Sequence, residues 1–313
     1  MDYIGKQHEV VAKRFLAYNS ALSHSKNSKK ADAQKTKLLD AIQDSRMNIN
    51  AMPSYKDDKS YRDSAVSFMK LYFSALNEDY NKIVNMEEIA EQSYDLMEAY
   101  MLAKEMVDKK MNEASDALQN EGKKFATAHD VTLITSENDI DKMMKQVGET
   151  NNYYTPIYLI FFKSFKQEVY LSDAIEKKNI NGIEQGRNSL LQFSQEGLAK
   201  LAAIPAFKGD NSLVTNCKKL LEFYVKEADK VPAISDYILK QDAFEKMQKE
   251  FDKKSEPTKD EVNAFNKAVK DVNNSVKTYN SNTNSLNQSR DNLLNNWNNA
   301  VDAFFDTYMP TYN

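Results

Sequence analysis

Apolar residues recur every three or four positions along most of this chain, which is the spacing of one face of an α-helix. Leu38, Ile42, Ser45, Ile49 and Met52 step in this way, and Leu71-Tyr72, Ala75-Leu76, Tyr80 and Ile83-Val84 resume it after a short interruption. A third stretch runs through Ile89, Leu96-Met97, Tyr100-Met101, Met111, Leu118 and Phe125, with Asn85 and Glu88 placed as its cap. The spacing predicts three antiparallel helices over about residues 3–130, the outer two much longer than the middle one.

Further on, Val131 to Ile134 reads as extended, and Ser136 with Asp139 opens a short helix that Gly148 ends. Thr155-Pro156 then reads as the N-cap and first residue of a new helix. Pro232 and the run Lys253 to Pro257 are expected breaks, and Thr258 with Glu261 is a capping box for a last helix reaching Tyr308, about 75 Å long. Asn crowds this helix between Asp271 and Ala300. Even so, Val269, Val272, Val276, Tyr279, Thr283, Leu286, Arg290, Leu293, Trp297, Val301 and Phe304 keep the helical step, against disorder.

The chain repeats itself. Met52 to Ser60 lies over Ile204 to Ser212 with Pro, Lys, Asp and Ser coinciding, an offset of 152 residues. Without a gap the offset also pairs Tyr18 with Tyr170, Leu38-Leu39 with Leu190-Leu191, Ile49 with Leu201, and Leu71-Tyr72 with Phe223-Tyr224. That register argues for continuous helix over Ser23 to Lys30. The matched centre is a corner between helices. Pro53 and Pro205 stop one helix, and Asp58 or Ser60, and Asp210 or Ser212, offer cap oxygens to the next. Ser60 with Asp63 resembles a capping box, and Tyr55 and Phe207 are placed to plug the inside of the corner. The expectation is therefore an all-α fold of two tandem long-helix units, at 1–134 and 153–313, joined by a connector at 135–152.

Composition supports long helices. Only 7 Gly and 6 Pro occur in 313 residues, too few for the frequent turns of a sheet protein, and the mean hydropathy is −0.68. With 42 Lys and Arg interspersed among 46 Asp and Glu, no basic face exists for a nucleic-acid partner. Cys217 is alone, so no intrachain disulfide and no Cys-based zinc site forms. No apolar run reaches bilayer length, and Met1-Asp2-Tyr3 is not a signal peptide.

Candidate chemistry is sparse. None of His8, His24 and His129 follows a carboxylate by three residues, as a di-iron bundle requires, and His8-Glu9 lacks the second His of a zinc protease. All three read as solvated or hydrogen-bonded, with His129 serving the last carbonyls of the helix before it. Met97, Met101, Met106 and Met111 have no His or Cys beside them, so they read as core filling rather than as a copper site. Gly182 and Gly186 sit among polar residues and are not a membrane-helix motif. No carboxylate pair, nucleophile motif or phosphate loop stands out, and no catalytic residue, cofactor or metal is assigned. The most apolar stretch is Tyr153 to Phe162. Its Tyr153, Tyr154, Ile157, Tyr158, Phe161 and Phe162 read as a helix start packed between the units, with a partner- or membrane-binding patch as the alternative.

At the corner the sequence resembles a family of uncharacterised surface lipoproteins of Bacteroidetes and Leptospira. Ile204-Pro205-Ala206-Phe207-Lys208-Gly209-Asp210-Asn211-Ser212-Leu213 has its apolar-Pro-x-aromatic-Lys-Gly-Asp-x-Ser pattern, and Met52 to Tyr61 has Asp57 in place of the Gly. Phe125-Ala126-Thr127-Ala128-His129-Asp130-Val131 resembles the stretch that closes a long helix in that family. The resemblance implies a helical protein of the cell envelope, in the periplasm or on the outer surface. It would be held by a lipidated Cys after a leader, with a protein or other envelope partner; without a leader the expected place is the cytoplasm. It implies no activity. The expected function is a non-enzymatic scaffold or binding module. The alternatives are a membrane-binding or membrane-remodelling protein, and a carrier or enzyme with a pocket between helices.

Overall fold

The computed structural model describes residues 1–24, 28–79, 92–133 and 138–312. Among them the fold is all-α: α1 Asp2–His24, α2 Ser28–Asn50, α3 Ser60–Ser74 with a π-turn Ala75–Asp79, α4 Tyr94–Ala128, α5 Asp139–Glu176, α6 Ile180–Leu201, α7 Ser212–Phe251 and α8 Lys259–Tyr308. The chain divides into two compact units, Met1–Thr155 with Asp302–Asn313, and Pro156–Val301.

The helix ends keep the sequence register. His24 and Glu176, which end α1 and α5, are 152 residues apart, and so are Ser28 and Ile180, which open α2 and α6, and Ser60 and Ser212, which open α3 and α7. Among the described residues each copy is a helix hairpin, a corner and two further helices, four where three were expected of the first. Residues 25–27 of the continuous helix expected over Ser23 to Lys30 lie outside those described, and at the equivalent place in the second copy the helix is broken. Lys178 takes a left-handed φ of 52°, Asn179 N donates to Ala174 O at 2.9 Å, and the Asn179 side chain caps Gly182 N at 3.1 Å. A left-handed residue followed by an Asn cap ends one helix and starts another within three residues.

In the first unit, Ile4, Val11, Tyr18, Leu38, Ile42, Ile49, Ala65, Met69, Leu76 and Leu118 form one buried cluster. A second patch joins Leu16, Val147 and Met309. The end of α8 is held there by side chains. Gln146 Nε2 and Thr150 Oγ1 donate to Tyr308 O at 2.7 and 3.1 Å, His24 Nε2 lies 3.2 Å from Met309 O, and Tyr312 N donates to Ser20 Oγ at 3.1 Å. These side chains supply partners for carbonyls that a helix end leaves unpaired.

In the second unit α5, α6, α7 and α8 bury Ile157, Leu171, Ile183, Leu190, Leu220 and Trp297. Two glycines set how closely α6 approaches. A Cβ on Gly186 would stand 3.1 Å from the Leu171 backbone, and one on Gly197 would stand 2.8 Å from Leu221 and 3.0 Å from Ile160. These contacts place Ser194 of α6 level with residues 163 and 164 of α5.

Several expected helix ends are helix interior. Gly148, Thr155 and Pro156 all lie within α5, which begins instead at a reciprocal cap between Asn138 and Asp141. Ser136 and Ile134 lie outside the described residues. Burial of Ile157, Phe161 and Phe162 on the same helix outweighs the cost of a proline of about 3 kcal/mol. Pro232 likewise lies inside α7. It withholds the N–H that the Ala228 carbonyl would accept, and Arg187 Nε of α6 donates to that carbonyl at 2.9 Å instead. The Asn85–Glu88 cap and Tyr80 fall outside the described residues, and α4 starts at Ser93, whose side chain accepts from Leu96 N at 3.3 Å. The break before Pro257 is present. Thr258 N donates to Glu261 Oε2 at 2.9 Å and Glu261 N to Thr258 Oγ1 at 3.3 Å, the reciprocal cap expected there. Along α8 Leu286, Trp297 and Phe304 are buried while the Asn positions 273, 280, 287, 295 and 299 are exposed.

Candidate functional site

The two corners share one geometry. Tyr55 and Asp58 exchange both backbone hydrogen bonds at 3.0 Å, and Phe207 and Asp210 do the same at 2.9 and 2.8 Å. Between them Lys56 and Asp57 have φ of 49° and 62°, and Lys208 and Gly209 have 51° and 89°. Two consecutive left-handed residues make a primed turn, for which the Gly is suited and Asp57 is strained. Asp58 Oδ1 accepts Ser60 N at 2.8 Å, and Asp210 Oδ1 accepts Ser212 N at 2.7 Å. Both aspartates thus cap the next helix, and Pro53 and Pro205 stand in the chain just before the turns. Ser60 does not form the expected box with Asp63. The helix starts at Ser60 itself, and Asp63 instead pairs with Arg62 at 2.7 Å.

Tyr55 does not plug the corner; it is 48% exposed. The tight turn lays its ring over the end of α4, with centroids 5.2 Å from His129 and 5.9 Å from Phe125. Phe207 is half-buried with Lys208 Nζ 5.1 Å above its ring. His129 closes α4 through its backbone N–H, which donates to Phe125 O at 3.2 Å, while its side chain turns to the corner. Its Nε2 lies 2.7 Å from Asp58 Oδ2, and the Asp58 carboxyl is held down at about 2, first by the Ser60 N–H and then by His129. The corner is a structural joint.

In the Tyr153 to Phe162 stretch, Ile157, Phe161 and Phe162 are buried and Tyr153, Tyr154 and Tyr158 half-buried. Within the second unit Phe161 meets the Trp297 ring at 4.7 Å. Within the first, Tyr153 meets Phe304 at 5.7 Å and Tyr154 meets Phe305 at 4.8 Å. The side chains that would form an exposed patch are committed to packing. The methionines of α4 do not converge either, with Met97 buried and Met106 73% exposed.

The concentrated chemistry is elsewhere, inside the second unit. Arg290 of α8 reaches between Glu168 of α5 and Glu227 of α7. Its Nε lies 2.7 Å from Glu168 Oε1 as an ion pair without an aligned hydrogen bond, and its Nη2 donates to Glu227 Oε1. Ser172 Oγ donates to Glu168 Oε1 at 3.0 Å. The Glu168 and Glu227 residues are both 4% exposed. Burial pushes the Glu227 carboxyl up to about 7, against the pull of Arg290. Burial, reinforced by both glutamates, raises Tyr224 well above the usual phenol range. Cys217 Sγ lies 4.0 Å from Ile157 O, and burial raises its thiol too, so it stays protonated and unreactive. Glu227 Oε2 and the hydroxyls of Tyr224, Ser164, Ser194 and Thr283 are buried without a hydrogen-bond partner.

Sequence reasoning missed this cluster because glutamates scattered among lysines read as a solvated face. One signal was present: Arg290 interrupts the apolar stripe of α8 at a core position.

Two other features complete the inventory. A groove of about 460 Å³ beside Pro232 is lined by Glu184, Arg187, Val231, Ser235, Asp236 and Leu239. Two of its charged side chains are engaged, Arg187 on Ala228 O and Asp236 on Lys240 at 2.7 Å. Among the described residues no group of three His, Cys, Asp or Glu side chains is placed to hold a metal ion, and no helix is long and apolar enough to cross a membrane. No protein-family model, curated protein or solved structure matches the chain.

Proposed function

We propose that this protein is a non-enzymatic helical-bundle scaffold or binding module of the bacterial cell envelope. The observation that carries the non-enzymatic reading is where its polar chemistry lies. In the second unit Glu227, Tyr224 and Cys217, whose proton affinity burial raises, are sealed between helices, while the exposed Asp58 and Glu261 are displaced by the helix caps and pairs they form. A catalytic group needs both a tuned proton affinity and access to substrate, and the exposed groups that are tuned here are spent on helix caps. Two copies of one rigid joint between long helices suit a scaffold. The envelope location rests on the resemblance at the corner motif.

Fractionation of the native host, with an antibody to the untagged protein, tests the location. Recovery with the envelope supports it, and recovery only in the cytosol overturns it. Crosslinking in intact cells tests the module. A discrete adduct of fixed stoichiometry that competes with added purified protein is the expected result. Turnover of any substrate class by the purified chain that is abolished by a single surface substitution would overturn the non-enzymatic reading.

A further inference from the structure

Three charges enter the core of the second unit and their signs do not balance. Glu168 and Glu227 share the single guanidinium of Arg290, leaving one negative charge in excess on two buried carboxyl groups. An uncompensated buried charge is costly enough that the group takes up a proton instead. The geometry shows where. Glu168 Oε1 faces Arg290 and accepts from Ser172, whereas Glu227 has Oε1 on Arg290 and Oε2 on nothing. We propose that Glu227 is a proton-binding site built into the second unit, and that α5, α7 and α8 hold together best when Oε2 carries the proton. The protonated oxygen is then a donor in a cluster whose hydroxyls, Tyr224 one turn earlier on α7 and Ser164 one turn before Glu168, lack partners.

The other copy supplies an independent argument. Ala12, Leu16, Ile42 and Ala75 lie 152 residues before Ser164, Glu168, Ser194 and Glu227, and Leu16, Ile42 and Ala75 are buried. At these positions the first unit therefore carries hydrocarbon, Leu16 packed on Val147 and Met309 and Ile42 within the larger cluster. The polar groups of the second are an addition that folding does not require.

The groups facing Glu227 are few. Glu168 comes from α5 and Arg290 from α8, while Tyr224 and Cys217 on its own helix stay neutral because burial raises both. From α6 comes Arg187, held on the Ala228 carbonyl next to it. The proton affinity of Glu227, raised by burial to about 7 from an ordinary 4.5, sets the window. Because the folded value is the higher, the contribution to stability is complete below about 4.5 and is lost as pH rises through about 7.

The test is denaturant unfolding of the full chain from about pH 5 to pH 8.5, for the unsubstituted protein, Glu227→Gln and Glu168→Gln. Glu227→Gln should match the unsubstituted protein at the acid end and exceed its unfolding midpoint increasingly above neutrality. Glu168→Gln leaves one carboxylate for one guanidinium, so the remaining pH dependence should move toward acid. A constant difference between the unsubstituted protein and Glu227→Gln across the range overturns the site, as does a Glu168→Gln profile that does not move. If Glu227→Gln fails to fold, carboxyl-carbon NMR of the unsubstituted chain decides. One glutamate titrating near neutrality is required, and none doing so overturns the proposal.

Discussion

The two units share a primed-turn corner, three helix boundaries in the same register and a tyrosine at equivalent places, Tyr72 and Tyr224, yet they bury opposite kinds of titratable group. The first unit has His8 on α1, half-buried with Nε2 shielded and unpartnered, its ring stacked on Phe68 at 5.3 Å. The second unit has Ile160 and Leu220 at those two positions. The second unit has Glu168 and Glu227 where the first has Leu16 and Ala75. The architecture tolerates hydrocarbon or polar groups at either place, so the corner and the helix register around it define the unit, and the buried polar groups give each copy its own response to protons. Burial lowers His8 to about 4 and raises Glu227 to about 7. In both cases the neutral form is the one that fits the core.

The largest effect should come from unbalancing the cluster. Arg290→Met leaves two buried carboxylates facing each other and should cost about 3–5 kcal/mol in denaturant unfolding. Adding Glu168→Leu and Glu227→Ala, the residues of the first unit, should recover this loss and end up to about 4 kcal/mol more stable than the starting protein. If the triple variant stays as unstable as the single one, the two cores are not interchangeable.

The pH responses come next. For Glu227 the loss should be at most about 3 kcal/mol as pH rises from 4.5 to about 7. His8 has the opposite sign: its folded value lies below its ordinary one, so its contribution is present above 6.5 and lost as pH falls toward about 4, by a similar amount. His8→Leu should flatten the acid limb alone, read as the unfolding midpoint between about pH 4 and pH 6.5.

A smaller effect belongs to the proline of α7. Arg187→Met leaves the Ala228 carbonyl without a donor and should cost about 1–3 kcal/mol. In Pro232→Ala the helix regains its own N–H, so the same Arg187 substitution should cost less, and a double-mutant cycle reads the difference. The smallest effect is at the corner. Asp57→Gly gives the first turn the residue of the second and should stabilise by up to about 1 kcal/mol, since φ of 62° suits Gly.

The parts of this fold that were legible in the sequence are those set by local chemistry. Pro53 with Asp58, Thr258 with Glu261, and the 3–4 step of Leu286, Trp297 and Phe304 act within one or two turns, so they could be read without tertiary contacts. The parts that were not legible depend on distant partners. Pro156 and Pro232 look like helix ends until Ile157 burial and the Arg187 N–H are known. The break between α5 and α6 leaves little mark on the apolar pattern because a single left-handed residue, Lys178, and the Asn179 cap make it. The Glu168–Arg290–Glu227 cluster joins three helices whose residues are up to 122 positions apart. Only comparison of the copies, with Leu16 and Ala75 opposite the two glutamates, carries its trace.

The most direct measurement is amide hydrogen exchange of the full chain at about pH 5 and about pH 8, corrected for the intrinsic pH dependence of exchange and resolved by peptide. Peptides around Glu227 in α7 and Arg290 in α8 should lose protection on going from acid to alkaline pH, while those around His8 in α1 should gain it. Protection that moves in the same direction in both units, or in neither, would contradict the claim that the two copies respond oppositely to protons.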